Sequence, residues 1–213
     1  NEDGVNLPLE MGKKTNAYYD EYAPLAFNCA RNAILFAVKI GKYARVYLPV
    51  YLCTTVGDAL HQFDINYYNT NCNLEPDLVG IEKNAVIVIP NYFGINRNQA
   101  DFIRKYGNVI FDNTQAFFEK PVRGAYNVYS CRKFFGVTDG AYLITDLQLP
   151  LDNSGYGRYQ PQNAGYLLDA ITFGTNYAYG DSLKNEAQLN SDGIKRPSIL
   201  SEMIMKEIDY NVV

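Results

Sequence analysis

The sequence predicts an α/β domain built on a mostly parallel sheet, and three observations predict it. Its 213 residues are 47% hydrophobic and 20% charged, the make-up of one globular domain rather than of a disordered chain. Strand-like and helix-like apolar patterns alternate through the first 145 residues, as a chain of strand–helix–strand units requires. The run Ala85-Val-Ile-Val-Ile-Pro90 is apolar at every position, as a parallel strand covered on both faces should be.

The elements follow in order. Ala33, Ile34, Phe36, Ala37, Val38 and Ile40 suit a buried helix over Asn32–Lys42. Arg45-Val-Tyr-Leu-Pro49 reads as a short strand stopped by proline. Thr54 to His61 reads as a helix with Thr54 or Thr55 near its N-cap, and Ile65 to Tyr68 as a short strand. After the Ala85–Pro90 strand come a helix from Asn98 to Tyr106 and a buried strand, Val109-Ile-Phe111, ending in Asp112. Asn127-Val-Tyr129 and Ala141 to Thr145 complete the strands. Gln148 to Tyr166, rich in Gly, Pro, Asn and Gln, reads as a loop. Leu167–Phe173, Ser182–Leu189 and Pro197–Ile208 read as helices, with Ile199, Leu200, Met203, Ile204 and Ile208 in one apolar stripe on the last.

Composition also excludes partners. A net charge of −4 provides no global field for nucleic acid or an anionic membrane, and the apolar runs are too short to span a bilayer. The acidic start Asn1-Glu-Asp-Gly4 lacks the basic head and apolar stretch of a signal peptide, so a cytoplasmic protein is expected. Cys29, Cys53, Cys72 and Cys131 stand singly, without a CxxC pair, and His61 is the one histidine. That argues against a zinc site, a disulfide framework and a Ser-His-Asp or Cys-His centre. Four buried thiols packing as small hydrophobes, and a structural His61 on its helix, are the expectation.

Ligands of open α/β sheets gather beyond the carboxyl ends of the strands, so the residues after each strand carry the chemistry. Asp112-Asn-Thr-Gln115 follows one strand, and Ser130-Cys-Arg-Lys133 follows another. Asn28-Cys-Ala-Arg-Asn32 opens the first helix, where backbone N–H groups point at an anion. Pro49-Val-Tyr-Leu-Cys53 brings an aromatic ring. Each is ordinary alone: a lysine after a serine is usually solvated, and an aspartate at a strand end commonly caps. Together and in order they are the parts of a pyridoxal-phosphate site: an imine-forming lysine, a carboxylate for the pyridine nitrogen, donors for the phosphate and a ring to stack on it.

Asn28-Cys-Ala-Arg-Asn-Ala33, Leu48-Pro-Val-Tyr51, Asn91-Tyr-Phe-Gly94, Asp112-Asn-Thr-Gln115 and Ser130-Cys-Arg-Lys-Phe-Phe-Gly136 with Asp139-Gly140 resemble the sugar aminotransferases of the DegT/StrS type. The resemblance covers about residues 25–146, and its most specific part is the Asp112/Lys133 pair, 21 positions apart. It implies the three-layer α/β/α large domain of fold type I pyridoxal-phosphate enzymes, with a C-terminal small domain missing. The expected organisation is an N-terminal arm (1–25), a cofactor-binding domain (26–146), and a loop with helices (147–213) leading toward that absent domain.

By the same resemblance Lys133 is the imine-forming lysine and proton shuttle, and Asp112 pairs with the pyridinium nitrogen. Gln115 lies near the phenolic oxygen. Ser130 donates to the phosphate with the backbone of Ala30 and Arg31, and Tyr51 stacks on the ring. Gly174-Thr-Asn176 resembles a segment that reaches the neighbouring subunit's phosphate, so Asn176 and a homodimer are implied. The substrates are then a keto-sugar nucleotide and an amino donor, in surface-polysaccharide or amino-sugar synthesis. Sugar dehydratases of the family carry histidine in place of the lysine, so Lys133 argues against that branch. Phe117, Phe134 and Phe135 are read as core.

Two departures stand out. Ala30-Arg31 replaces the usual glycine followed by threonine or arginine, which alanine tolerates only at negative φ. The chain also stops where the small domain should start, as a fragment or a naturally short form. The alternative is therefore a truncated cofactor-binding or interaction module with little catalysis.

Overall fold

The computed structural model describes residues 17–96 and 98–210. Its strands are β1 (Leu25–Phe27), β2 (Arg45–Pro49), β3 (Asp64–Tyr68), β4 (Ala85–Pro90), β5 (Val109–Asp112), β6 (Tyr126–Ser130) and β7 (Ala141–Ile144). Its α-helices are α1 (Ala30–Ile40), α2 (Thr54–Ala59), α3 (Gln99–Tyr106), α4 (Tyr166–Phe173), α5 (Thr175–Ser191) and α6 (Ile199–Glu207). The strands form one mixed sheet in the order β1-β7-β6-β5-β4-β2-β3. Strands β3, β2, β4, β5 and β6 run parallel, and β7 pairs antiparallel with both β6 and β1.

Alternation of side chains builds a layer on each face. Val86 and Val88 of β4, Ile110 of β5 and Val128 of β6 meet Ala33, Ile34, Ala37 and Val38 of α1, with Val56 of α2. Their neighbours Ile87, Ile89, Val109 and Phe111 meet Phe102 and Tyr106 of α3 on the opposite face. Every residue of β4 is buried, as its unbroken apolar run predicts. Full burial of each such aliphatic side chain contributes about 1.5–3 kcal/mol. A further cluster on the α3 side joins Phe117, Tyr129, Tyr142 and Met205 of α6 with Tyr19. The expected three-layer α/β/α architecture is therefore present.

Differences from the expected elements have local causes. Helix α1 begins two residues early, because Cys29 is extended (φ −155°, ψ 161°) and supplies the N-cap position. It ends at Gly41, where a Cβ would collide with the Tyr43 ring. Helix α2 stops at Ala59, so His61 lies beyond it in a turn, with Nδ1 2.7 Å from the Asp58 carbonyl. Helix α5 runs from Thr175 to Ser191 through Gly180, longer than expected; Asn185 and Leu189 are buried by tertiary packing that outweighs the glycine's cost of about 1 kcal/mol. Strand β1, three residues long, was not expected at all and is specified by its pairing with β7.

The inward face of α6 is also rotated from the expected stripe. Ser201 and Met205 are buried, whereas Ile199 and Met203 are exposed. The cause is the buried Asp139 carboxylate, which accepts from the Ser198 N–H (2.7 Å) and from the hydroxyls of Ser198 and Ser201 (both 2.6 Å). Of the cysteines, Cys29 and Cys131 are buried, but Cys53 and Cys72 are exposed on loops after β2 and β3; all four are free. Phe117 is fully buried, while Phe134 on the turn after Lys133 is partly solvated. Of the expected N-terminal arm, residues 1–16 lie outside the described residues. Leu147, Leu149, Leu151, Tyr156 and Ile194 pack onto the α1-side core. Among the described residues no helix is long and apolar enough to cross a membrane.

Candidate active site

A cavity of about 400 Å³ opens where the carboxyl ends of β2, β4, β5 and β6 meet the start of α1. The position follows from the sheet: the alternation that sends Val88, Ile110 and Val128 toward α1 also assigns Pro90, Asp112 and Ser130 to that face. Ala30, Arg31, Tyr51, Asp112, Gln115, Ser130 and Lys133 all line it, and Asn176 does not. Asn176 is exposed in the first turn of α5.

Asp112 ends β5 almost fully buried, and its Oδ1 accepts the Thr114 N–H at 3.0 Å in an Asx turn. Burial pushes its carboxyl up, against the Thr114 hydrogen bonds and the charge of Lys133, which favour the ionised form. Lys133 itself is exposed on the turn after β6. Gly140 closes this loop with φ +123°, a conformation in which a Cβ would lie 3.3 Å from Cys131, and its N–H donates to the Asn28 carbonyl at 2.7 Å. The lysine loop is thus tied directly to the entry of α1.

At that entry no side chain caps the helix, and Ala30 is helical rather than left-handed, which answers the requirement set by its missing glycine. On the opposite wall Tyr92 donates its hydroxyl to the Tyr51 carbonyl, and the two rings lie 5.4 Å apart at 30°. Burial, with Asp112 and Tyr51 nearby, pushes the Tyr92 phenol up to about 12, so it stays a donor at neutral pH. Tyr51 remains 65% exposed, with its ring available to a ligand. Two buried atoms of cavity-lining residues have no hydrogen-bond partner: Arg31 Nη2 and Gln115 Oε1.

Reading the strand ends alone misses Glu186. It comes from α5, where its Oε1 accepts from Arg31 Nη1 at 2.9 Å and its Oε2 from Arg132. Burial disfavours its charge, but the Arg132 and Arg31 guanidiniums outweigh this and hold its carboxyl below the usual glutamate range. Nothing in the pattern of α5 marks it, because its partners are 155 and 54 positions away. Among the described residues no group of three or more His, Cys, Asp or Glu could hold a metal ion.

No family model matches the chain, and no curated protein does. Solved structures do. DesV from S. venezuelae, in complex with a ketimine intermediate, matches at a TM-score of 0.50 and 15% identity, over 88% of this chain and 53% of DesV. Spr1654 from Streptococcus pneumoniae, described as a sugar aminotransferase in its PMP form, matches at 0.47 and 13%, over 62% and 46% of the two chains. NtdA from Bacillus subtilis with bound PMP matches at 0.45 and 15%, over 64% and 39%. The chain spans about half the length of DesV and Spr1654. At such identities the likeness to DesV is one of fold: this chain is an α/β domain of the kind that the motif resemblance implies.

Proposed function

We propose that this chain is the cofactor-binding domain of a pyridoxal-phosphate-dependent aminotransferase acting on a keto-sugar nucleotide. The observation that carries the reading is the convergence of Lys133, buried Asp112, Gln115 and Ser130 in one cavity at the sheet's carboxyl ends, beside the start of α1. The residues fit the cofactor: Gln115 Oε1 is buried without a partner, and the first turn of α1 is uncapped by any side chain. Bound there, pyridoxal phosphate supplies an electron sink for α-carbanion chemistry. Lys133 would hold it covalently and move the proton between carbons through its amine. Asp112, whose carboxyl burial raises while Thr114 and Lys133 oppose that rise, would be ionised by the charge of a pyridinium beside it and would hold the proton on that nitrogen. Tyr51, positioned by Tyr92, would cover one ring face and exclude water from it. Four free thiols accord with work in the reducing cytoplasm.

The likeness of fold to DesV, which was solved in complex with a ketimine intermediate, favours the same class. A homodimer in which Asn176 meets the neighbouring subunit's phosphate belongs to this reading. So does the organisation of the chain as arm, cofactor domain and C-terminal helices. The second reading is a cofactor-binding or interaction module with little or no catalysis. One assay separates them. The protein is loaded with pyridoxal phosphate, given an amino donor, and then a keto-sugar nucleotide, with amino-sugar formation followed by mass spectrometry. Stoichiometric amino transfer supports the enzyme; cofactor binding without transfer supports the module.

A further inference from the structure

We infer that a second cavity, outside the one assigned to the cofactor, binds a small carboxylate with an apolar tail through Arg132 and Tyr166. The cavity, of about 300 Å³, lies between the turn after β6 and the α4–α5 pair. That is the lower end of the range for small-molecule sites. The inference does not depend on pyridoxal phosphate, because neither Lys133 nor Asp112 lines this space. Its apolar walls are Phe135 and Val137 from the lysine turn, Leu167 from α4 and Leu183 from α5. Such walls suit a hydrocarbon tail, and a few polar groups among them fix the ligand's orientation.

The polar groups there are donors in excess. Arg132 lines the cavity with its side chain 25% exposed, and among the described residues its guanidinium makes one hydrogen bond, from Nη2 to Glu186. A guanidinium carries several more N–H donors, and these remain for a ligand. Glu186 is shared with Arg31, so two guanidiniums face one carboxylate and the group is short of an anion. Tyr166, also on the cavity wall, is only 8% exposed. Its hydroxyl accepts from Asn185 Nδ2 at 3.4 Å, yet among the described residues it donates to nothing. Burial pushes that phenol up, with Arg132 near enough to oppose the rise, so it stays a donor at neutral pH. A guanidinium and a phenol together match the two oxygens of a carboxylate. Aliphatic α-amino acids and their α-keto acids share this chemistry. Arg132 and Glu186 line both cavities, so an occupant of the second touches the wall of the first.

The test is calorimetric titration of the full chain with isocaproate and with its uncharged amide. The carboxylate should bind about tenfold or more tighter, because charge-assisted hydrogen bonds are about twice as strong as neutral ones. Arg132→Gln should remove that preference. Leu183→Trp adds bulk to the cavity from a half-exposed position on α5, and should weaken isocaproate about tenfold or more. It should leave pyridoxal phosphate binding unchanged, since Leu183 does not line the first cavity. If Arg132→Gln fails to fold by circular dichroism, Leu183→Trp decides. Equal affinity for the carboxylate and the amide, or wild-type affinity in folded Leu183→Trp, would overturn the inference. Competition with pyridoxal phosphate that persists in Leu183→Trp would put the probe in the first cavity and overturn it too. The expected results in a protein that never forms an adduct at Lys133 would sink the cofactor reading and leave this site standing. Leucine and α-ketoisocaproate separate the two sources: tighter leucine assigns the amino acid, whose ammonium would meet Glu186, and a tighter keto acid assigns the keto acid.

Discussion

Asp139→Ala is expected to remove about a third of the protein's stability and to loosen the lysine loop. Asp139 is fully buried and accepts four hydrogen bonds: from the hydroxyls of Thr138, Ser198 and Ser201, and from the Ser198 N–H. Alanine leaves all four donors without their acceptor. The hydroxyls can turn toward one another, since Thr138 Oγ1 and Ser201 Oγ already lie 3.3 Å apart, so their combined loss is about 2 kcal/mol. The Ser198 N–H is fixed at the entry of α6 and keeps a desolvation penalty of about 1–3 kcal/mol. The sum is about 3–5 kcal/mol, against a total of about 5–15 kcal/mol for a typical domain. At about 2–4 °C per kcal/mol for a chain of this size, Tm should fall by about 10 °C. Urea unfolding followed by circular dichroism reads the loss directly, with Ser201→Ala, expected near 1 kcal/mol, as the single-donor control. A loss for Asp139→Ala below 1 kcal/mol would refute the argument that this carboxylate docks α6 against the loop carrying Lys133.

Asp112→Asn should retain the covalent cofactor adduct but slow α-proton removal in single-turnover absorbance measurements by orders of magnitude; near-normal rates would remove Asp112 from the chemistry. Because the Glu186 carboxyl is depressed in the folded state, its pairing stabilises the protein above the usual glutamate range and is lost as pH falls through the depressed value. The stability gap between wild type and Glu186→Gln, from urea midpoints, should therefore be present at pH 7 and shrink at acid pH, and a pH-independent gap would contradict the pairing. Leu168, Ile171, Phe173 and Tyr177 leave an exposed apolar surface on α4 and α5, the property of a subunit contact. Sedimentation should show a homodimer whose cofactor affinity falls on dilution; a monomer with unchanged binding at every concentration would be decisive against it.

Legibility differed by physical cause. Strand β4 and the core face of α1 were readable because burial on both faces, or along one stripe, writes itself into an unbroken or periodic apolar pattern. Seven of the eight expected site residues share a cavity, because strand-end motifs in a parallel sheet converge wherever the register places them. Glu186 was invisible, since a glutamate on a polar helix reads as solvated until its two arginine partners are brought to it. The inward face of α6 was misjudged for a related reason. Its apolar periodicity favoured Met203, but the buried Asp139 selects Ser198 and Ser201 and turns Met205 inward instead. Strand β1 carries too few residues to show a period at all.

Whether Lys133 carries the cofactor can be read from a covalent label. The most direct measurement is borohydride reduction of the protein with pyridoxal phosphate, followed by peptide mass mapping. One equivalent of phosphopyridoxyl label is expected, located on Lys133 and absent from a folded Lys133→Ala variant. Full labelling in that variant, or a label spread over surface lysines such as Lys105 and Lys184, would contradict it.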